Sequence, residues 1–316
     1  MTAEDPLMEM FTTMITPYLK DGRVDIETAL KYVDWYYENG LDGIFAVCQS
    51  SEIFYLSLEE RVELNRAVYA RAKELEKKGG RPFTVVSSGH VSDREEDQID
   101  ELTAIAESGT DALILITNRL DRFQEGDEVF IRNAEHLLGK LPENLPLGLY
   151  ECPYPYKRLV TPKILEWCVQ TGRFRYMKDT CCDAELIARR VNQLKESGFK
   201  LLNANCQTLL TTMQNGADGY CGIMCNFHPR LYAWLRDHYE SEPEKAVLVG
   251  AAIGTMGFTE GGLPYPLTAK YHMTLSGIST NNLARNLKAE ELTDYVKESV
   301  RNMKTVTDWM ERALSC

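Results

Sequence analysis

Residues 147–180 read LGLYECPYPYKRLVTPKILEWCVQTGRFRYMKDT, and this stretch predicts one complete strand–helix–strand unit. Two short apolar runs, Leu147–Tyr150 and Phe174–Lys178, are typical of strands because each is only four or five residues long. Between them lies an amphipathic segment, 162–171, which starts with proline after a threonine and stops before a glycine. Proline in the first turn and glycine after the last turn are ordinary helix boundaries. The unit therefore indicates an α/β protein.

The same rhythm continues along the chain in both directions. We expect strands at Phe11–Ile15, Gly43–Val47, Phe83–Ser87, Ala112–Ile116, Leu147–Tyr150, Phe174–Lys178, Leu201–Asn203 and Gly219–Met224. Eight strand–helix units in about 240 residues predict a (β/α)8 TIM barrel. A doubly wound open sheet would normally carry a glycine-rich phosphate-binding turn after its first strand. Residues 16–19 read TPYL instead, so the barrel is favoured.

The residues from Ser241 onward lack strand signals and indicate three helices, the last spanning roughly Lys288 to Leu314. We therefore predict a catalytic barrel at residues 1–240 and a C-terminal three-helix region at residues 241–316. The second region has no room for another catalytic domain. We expect it to pack on the barrel or to form an oligomer interface.

The composition excludes several classes of partner. With 44% hydrophobic and 26% charged residues, the chain is an ordinary globular protein and not a disordered one. The 35 lysines and arginines against 47 acidic residues give a net charge of −12, and no basic cluster suits a nucleic-acid backbone. The longest strongly apolar run, Ala112–Ile116, is far below the roughly 20 residues of a membrane helix.

The cellular setting follows from the N-terminus and the cysteines. Residues 1–6 are acidic and lack the basic-then-apolar order of a signal peptide, so a cytoplasmic protein is expected. Nine scattered cysteines in such a chain are expected to be reduced thiols. Cys221 and Cys225 have a four-residue spacing, but no second pair or partnering histidine completes a metal site. The cysteine spacing therefore predicts no zinc site.

Two polar side chains mark the carboxyl ends of neighbouring strands, where barrel enzymes carry their chemistry. Period-two alternation predicts that Tyr150 and Lys178 both point into the barrel mouth. A neutral lysine amine condenses with a 2-keto acid to an imine, which withdraws electrons from a neighbouring carbon–carbon bond. A phenol beside the amine can move the protons that this chemistry requires. Each residue alone is more often structural, and only their coincidence favours catalysis.

A third element of the predicted site is the turn Ser50-Ser51 after the second strand. Two hydroxyls with backbone N–H groups can hold a carboxylate. A serine pair is usually just a turn, so this signal is weak by itself.

With these three motifs, the sequence resembles the dihydrodipicolinate synthase and N-acetylneuraminate lyase family of Schiff-base aldolases. Ser50-Ser51-Glu52 stands where that family has its Gly-(Thr/Ser)-Thr-Gly-Glu turn. The run Leu149-Tyr150-Glu151-Cys152-Pro153 is similar to the family's Leu-Tyr-Asn-x-Pro, and Met177-Lys178-Asp179-Thr180 to its Ile-Lys-Asp-Ser. Further similar segments are Thr16-Pro17, Gly216-Ala217-Asp218-Gly219, Asn226 and Pro229. The resemblance covers about residues 10–280.

The resemblance implies roles for individual residues. Lys178 would form the imine and Tyr150 would move protons. Ser50 and Ser51 would bind the carboxylate of the keto acid, with Ser51 also joining the proton relay. The backbone carbonyl near Cys221 would line the same pocket. The resemblance further implies a homotetramer or a dimer of that type, with no metal and no organic cofactor.

The sequence departs from the family at four places. Depending on the register of the turn, Cys48 and Ser51 replace its usual glycines, and Ala204-Asn205 replaces Gly-Asp after strand seven. The segment 117–121 lacks the tyrosine that reaches the neighbouring subunit. The synthases' arginine for a second substrate carboxylate falls near Tyr154 or Pro155 here. These departures leave the imine chemistry in place and the second substrate open.

The leading hypothesis is therefore a lyase that forms an imine between Lys178 and a 2-keto acid, with pyruvate and a hydroxylated aldehyde as its partners. The missing arginine and the extra charge of Glu151 disfavour an anionic aldehyde. We expect Glu151 to accept hydrogen bonds from substrate hydroxyls instead. Two alternatives remain: a true 4-hydroxy-tetrahydrodipicolinate synthase, and a non-catalytic descendant that binds a keto acid.

Overall fold

The computed structural model describes residues 8–316, so the residues behind the signal-peptide prediction lie outside its described part. Eight parallel strands close into a barrel in sequence order, and the first pairs with the last. They are β1 (Glu9–Thr13), β2 (Gly43–Phe45), β3 (Thr84–Ser88), β4 (Ala112–Ile116), β5 (Leu147–Tyr150), β6 (Phe174–Asp179), β7 (Lys200–Asn203) and β8 (Gly219–Gly222). The predicted (β/α)8 barrel is confirmed.

Helices connect the strands on the outside of the barrel. They are α1 (Ile26–Glu38), α2 (Leu58–Gly79), α3 (Glu95–Ser108), α4 (Thr117–Leu120), α5 (Asp127–Leu138), α6 (Pro162–Thr171), α7 (Ala184–Leu194), α8 (Leu209–Gln214) and α9 (Pro229–His238). Three more follow the barrel: α10 (Pro243–Glu260), α11 (Leu267–Leu275) and α12 (Asp294–Leu314). The predicted C-terminal helical extension is confirmed as well.

The strand–helix–strand unit predicted at residues 147–180 is present in the structure. The Thr161 hydroxyl accepts a hydrogen bond from the Ile164 N–H at 3.3 Å, which caps the first turn of α6. Gly172 ends that helix with a φ of 66°, a left-handed conformation that glycine adopts without strain. The chain then enters β6, where Lys178 lies directly opposite Tyr150 of β5. The two expected functional residues are thus strand neighbours.

Alternation along β5 separates the two sides of the barrel wall. Leu147 and Leu149 pack outward in a core that they share with the surrounding helices. Tyr150 packs inward with Phe45 and Cys221 in a separate cluster inside the barrel. The barrel interior is therefore filled with side chains below the site, as expected for eight strands.

Several predicted element boundaries are wrong by two to six residues, including those of the first two strands, which are expected at Phe11–Ile15 and Gly43–Val47 and lie at Glu9–Thr13 and Gly43–Phe45. The strand expected at Gly219–Met224 ends at Gly222, because a 3₁₀ turn follows it at once. The last helix begins at Asp294 instead of Lys288, because the Thr293 side chain caps it there.

The C-terminal helices pack on the barrel. Ile253 of α10 and Met303 of α12 belong to the same apolar core as Met10 of β1. The segments between these helices reach back to the carboxyl ends of the strands, as described below. Within residues 8–316, none of the helices combines the length and apolarity needed to cross a membrane.

Candidate active site

Lys178 and Tyr150 form the centre of the site. The Lys178 Nζ lies 4.3 Å from the centroid of the Tyr150 ring, and the lysine is only 8% exposed. Within residues 8–316, no carboxylate lies within 4.0 Å of this Nζ, and no hydrogen bond to it forms. A buried amine without a counter-ion is costly unless it has a use, because burial penalises an unpaired charge. Such a group is a candidate for chemistry.

Three buried thiols belong to the same electrostatic neighbourhood. They are Cys48, Cys152 and Cys221. Burial raises the pKa of each thiol, and to about 12 for Cys221, whereas the Lys178 charge acts in the opposite direction. The thiols are therefore neutral at pH 7 and do not supply the missing counter-ion.

The Tyr150 hydroxyl is held in its neutral form. Burial raises the pKa of Tyr150 well above its ordinary value of 10. Its O–H donates to the Gln49 Oε1 at 3.3 Å, and its ring meets Phe45 edge-on with centroids 5.4 Å apart. A protonated phenol next to an amine can donate a proton during imine formation.

The two serines of the turn after β2 have different surroundings. The Ser50 Oγ donates to the Thr13 Oγ1 at 3.0 Å, and Ser50 lines the cavity beside Lys178. The Ser51 Oγ lies 2.7 Å from the carbonyl oxygens of both Met14 and Ala46, and the residue is fully buried. Ser51 therefore ties the turn to the ends of β1 and β2, and its hydroxyl is occupied there.

Lys178, Tyr150 and Ser50 share one cavity of about 280 Å³ at the barrel mouth. Its lining consists of Gln49, Ser50, Tyr150, Pro153, Lys178, Thr180, Ile223, Tyr265, Pro266 and Asn286. Lys178 is the one charged residue of this lining. The other polar groups are hydroxyls and carboxamides, which suit a neutral, hydrogen-bonding ligand around a single cation.

Glu151 does not line this cavity. Its side chain is fully buried on the outer side of the wall, where the Oε1 accepts from the Arg190 Nη2 at 2.8 Å. The backbone N–H groups of Val160 and Thr180 also donate to the carboxylate, at 2.7 and 2.9 Å. The charge of Glu151 is thus paired and turned away from an incoming aldehyde, because alternation places it opposite Tyr150.

Cys221 also has no place in the cavity lining. Its thiol is buried inside the barrel on β8, in the cluster that contains Tyr150. The structure therefore brings together Lys178, Tyr150 and Ser50, and it places the side chains of Ser51, Glu151 and Cys221 around them.

Seven lining residues are absent from the sequence-based site, among them Gln49, Tyr265 and Asn286. Gln49 precedes the two serines, and its contact with Tyr150 shows that the turn presents positions 49 and 50 to the cavity. Tyr265 and Asn286 come from the C-terminal region, more than 85 residues after Lys178 in the chain. No local motif signals such a long-range approach.

The two basic residues after β5, Lys157 and Arg158, differ in their bonding partners. The Arg158 Nε and Nη2 each lie 2.7 Å from a carboxylate oxygen, of Asp121 and Asp127 respectively, so this guanidinium is fully engaged. The Lys157 Nζ donates to the carbonyl oxygen of Thr180 at 2.6 Å. Because Thr180 lines the cavity, Lys157 lies near its rim, and it has no carboxylate partner among the described residues.

Comparisons with known proteins show similarity along most of the chain. The chain is 25% identical over 288 residues to a 4-hydroxy-tetrahydrodipicolinate synthase of Saccharophagus degradans, covering 82% of this chain and 93% of that protein. The structure resembles a dihydrodipicolinate synthase of Acinetobacter baumannii solved with pyruvate, with a TM-score of 0.80 at 20% identity, covering 96% and 99% of the two chains. A prophage protein of the same family from E. coli K12, also solved with pyruvate, gives a TM-score of 0.82 at 18% identity, covering 95% and 98%.

The model of the dihydrodipicolinate synthetase family matches residues 6–306, nearly the whole chain. The resemblance found in the sequence is therefore confirmed, and the chain belongs to the dihydrodipicolinate synthetase family as an enzyme of the lyase class.

Proposed function

We propose that this enzyme makes or breaks a carbon–carbon bond next to a 2-keto acid through an imine on Lys178. One observation carries the proposal: a buried amine without a carboxylate partner lies 4.3 Å from a protonated phenol ring in a cavity at the barrel mouth. A non-catalytic keto-acid binder would gain more from a paired cation, which costs less to bury.

In the proposed steps, Lys178 carries the imine and Tyr150 moves the protons. The Lys178 amine attacks C2 of the keto acid, and the resulting carbinolamine loses water to give a protonated imine. Tyr150 donates the proton that the departing hydroxyl needs and becomes a phenolate. In cleavage, this phenolate takes the proton of the C4 hydroxyl, the C3–C4 bond breaks towards the imine, and an aldehyde departs. Tyr150 then returns the proton to C3 of the enamine, and its phenolate accepts a proton from the water that releases pyruvate from the lysine.

Ser50 is the proposed carboxylate anchor, since its hydroxyl lines the cavity. We assign Ser51 the role of positioning this turn, because its hydroxyl is bonded to two backbone carbonyls. Gln49 is proposed to orient the Tyr150 hydroxyl in place of a serine relay.

For the second substrate we propose a neutral, hydroxylated aldehyde, such as the one released from a 2-keto-3-deoxy sugar acid. The cavity lining supports this choice, because it offers hydroxyls and carboxamides and no arginine. The argument no longer depends on Glu151, whose charge is paired with Arg190.

One observation favours a second candidate, the 4-hydroxy-tetrahydrodipicolinate synthase activity for which the S. degradans relative is named. Lys157 lies near the rim without a carboxylate partner, and a lysine there would attract an anionic aldehyde. Assays with pyruvate and aspartate semialdehyde, beside a panel of 2-keto-3-deoxy acids, separate the two candidates. Efficient turnover of the semialdehyde that falls in Lys157→Ala would establish the synthase.

The cytoplasmic setting and the homo-oligomer also belong to the proposal. Two exposed aromatic side chains, Phe123 and Tyr154, support self-association, and the Phe54 ring packs against that of Tyr154 with centroids 4.8 Å apart. Sedimentation at several protein concentrations tests the assembly, and a monomer at all of them would contradict it.

Borohydride reduction in the presence of pyruvate tests the central step. We expect one reduced pyruvyl group per chain, mapped by peptide mass analysis to Lys178. Lys178→Ala should abolish the adduct, whereas the matched control Lys157→Ala should retain it. An adduct on another lysine in the wild-type protein would overturn the assignment.

A further inference from the structure

Asn286 differs from every other neutral polar residue that lines the cavity. Gln49, Ser50, Tyr150 and Thr180 each form a side-chain hydrogen bond, and the Tyr265 hydroxyl accepts one from Asn226 at 3.2 Å. The Asn286 Oδ1 is buried and has no hydrogen-bond partner, and no described residue bonds its Nδ2. These five lining residues and Asn286 share one space, but among the described residues that form it only Asn286 is a neutral polar residue without any side-chain hydrogen bond.

The Asn286 backbone is nevertheless fixed. The Glu52 Oε2 accepts from the backbone N–H groups of Arg285 and Asn286, at 2.6 and 3.1 Å. The Arg285 guanidinium adds two hydrogen bonds to Glu60, at 2.6 and 2.7 Å. The segment is therefore anchored at residues 285 and 286, and the carboxamide is attached to a fixed backbone without having a hydrogen-bond partner among the described residues.

An unsatisfied buried carbonyl costs free energy, and a ligand that donates to it recovers that cost. The carboxamide offers one acceptor and two donors, and a hydroxyl group complements both because it donates and accepts. A carboxylate only accepts, so it would leave the buried Oδ1 unsatisfied. The best ligand for Asn286 therefore carries hydroxyl groups.

We propose that Asn286 is a specificity residue that binds a hydroxyl group on the aldehyde-derived part of the substrate. The inference rests on the proposed imine chemistry and extends it, since it names the group that selects the second substrate. It also gives the C-terminal region a part in substrate choice: the barrel supplies the imine and the segment after α11 supplies the selection.

A matched pair of three-carbon aldehydes tests the inference. Glyceraldehyde carries two hydroxyl groups and propanal carries none, and each can be condensed with pyruvate. We expect wild-type kcat/KM to favour glyceraldehyde. In Asn286→Leu, this value should fall about 10- to 100-fold for glyceraldehyde, mainly through KM, and stay within about threefold for propanal. Asn302→Leu, at an exposed position on α12, is the control.

The outcomes separate this inference from the proposed function. Loss of both aldehyde activities with a normal pyruvyl adduct on Lys178 would show that Asn286 has a general structural role, and would overturn the specificity assignment. A wild-type enzyme that does not prefer glyceraldehyde would overturn it too. Failure to trap any adduct in the wild-type protein would instead refute the imine. Asn286→Ser, which keeps a hydroxyl, should restore part of the preference if Leu perturbs folding.

Discussion

Two buried lysines of this enzyme have similar aromatic neighbours and opposite electrostatic surroundings. The Lys178 Nζ lies 4.3 Å from the Tyr150 ring centroid, and the Lys270 Nζ lies 4.4 Å from that of Tyr18. Lys270 is 1% exposed and is paired with Glu52, while its Nζ also donates to the Leu283 carbonyl at 2.7 Å. Lys178 has no such partners.

This difference in pairing indicates which of the two lysines stabilises the fold. The Lys270–Glu52 pair joins α11 to the turn that contains Ser50 and Ser51, and Glu52 also holds the segment with Asn286. The charges of Lys270 and Glu52 are paired within the protein, so this contact needs no ligand. The Lys178 amine is left unsatisfied by the protein, and in our proposal the keto acid completes it. The comparison predicts that removing one lysine abolishes activity and removing the other destabilises the fold.

The largest expected effect is on activity. Lys178→Met should reduce turnover to background, on the order of 10⁴-fold or more, because no other described residue can form the imine at this place. The free energy of unfolding should stay within about 1 kcal/mol of wild type or rise, since the variant removes an unpaired buried amine. Activity assays and urea unfolding measure both. A strongly destabilised variant would show that the two lysines do not differ as we infer.

The next largest expected effect on turnover concerns the hydroxyl of Tyr150, whose ring lies next to the Lys178 amine. Tyr150→Phe keeps the aromatic face and removes the hydroxyl, so turnover should fall roughly 10²- to 10⁴-fold while the fold persists. Tyr154→Phe, which changes an exposed ring, is the matched control, and its turnover should be close to that of wild type. Wild-type turnover in Tyr150→Phe would leave Tyr150 with a packing role only.

These two residues are also the part of the site that the sequence could predict. Short strands, period-two alternation and the pairing of consecutive strands were enough to place Tyr150 beside Lys178. The same alternation points Glu151 outward, but its position one residue past the strand suggested a ligand. The Glu151 carboxylate is held by Arg190, which lies 39 residues away in the sequence, and no local pattern predicts that pair.

The rest of the site depends on long-range contacts in the same way. The turn 49–51 has two registers that are equal in sequence, and the choice between them follows from the hydrogen bonds of Ser51 to the ends of β1 and β2. Asn286 reaches the cavity because Glu52 binds its backbone, across 234 positions of the chain. The barrel was predictable because it repeats, whereas these contacts occur once.

Lys270→Met tests the paired side of the comparison. It leaves Glu52 buried without its cation, so we expect a loss of about 3–5 kcal/mol in the free energy of unfolding. The double variant Glu52→Gln/Lys270→Met should recover much of this loss, because it removes both charges. Urea unfolding of the two single variants and the double variant measures the coupling. Additive losses would mean that the pair is not the source of the stability.

The pH dependence of Lys270 has a definite sign. Burial lowers the pKa of Lys270 from 10.5 to about 8 although the Glu52 charge opposes this. Between pH 8 and 10.5 the unfolded chain binds more protons at this lysine than the folded one does, so its contribution to stability rises with pH in that window. Lys270→Met should lack this rise.

The smallest expected effect comes from a third arrangement, a buried acid without a cation. Glu260, at the end of α10, is 1% exposed, its Oε1 accepts from Thr268, and its Oε2 is buried without a partner. Burial raises the pKa of Glu260 from 4.5 to about 8. The folded chain therefore binds the extra proton between these values, and the contribution of Glu260 is complete below pH 4.5 and declines as the pH rises to 8.

Glu260→Gln should remove that decline, because a carboxamide keeps the acceptor for Thr268 and never ionises. We expect the variant to gain about 3 kcal/mol over wild type on going from pH 5 to pH 8. Glu290→Gln, at an exposed site, is the control and should follow wild type. Urea unfolding at both pH values measures the difference. Equal pH dependence in wild type and Glu260→Gln would show that this acid is ionised and stabilised in the fold. The protein would then hold a buried charge without a partner at a place other than Lys178, and absence of a counter-ion would no longer single out the catalytic amine.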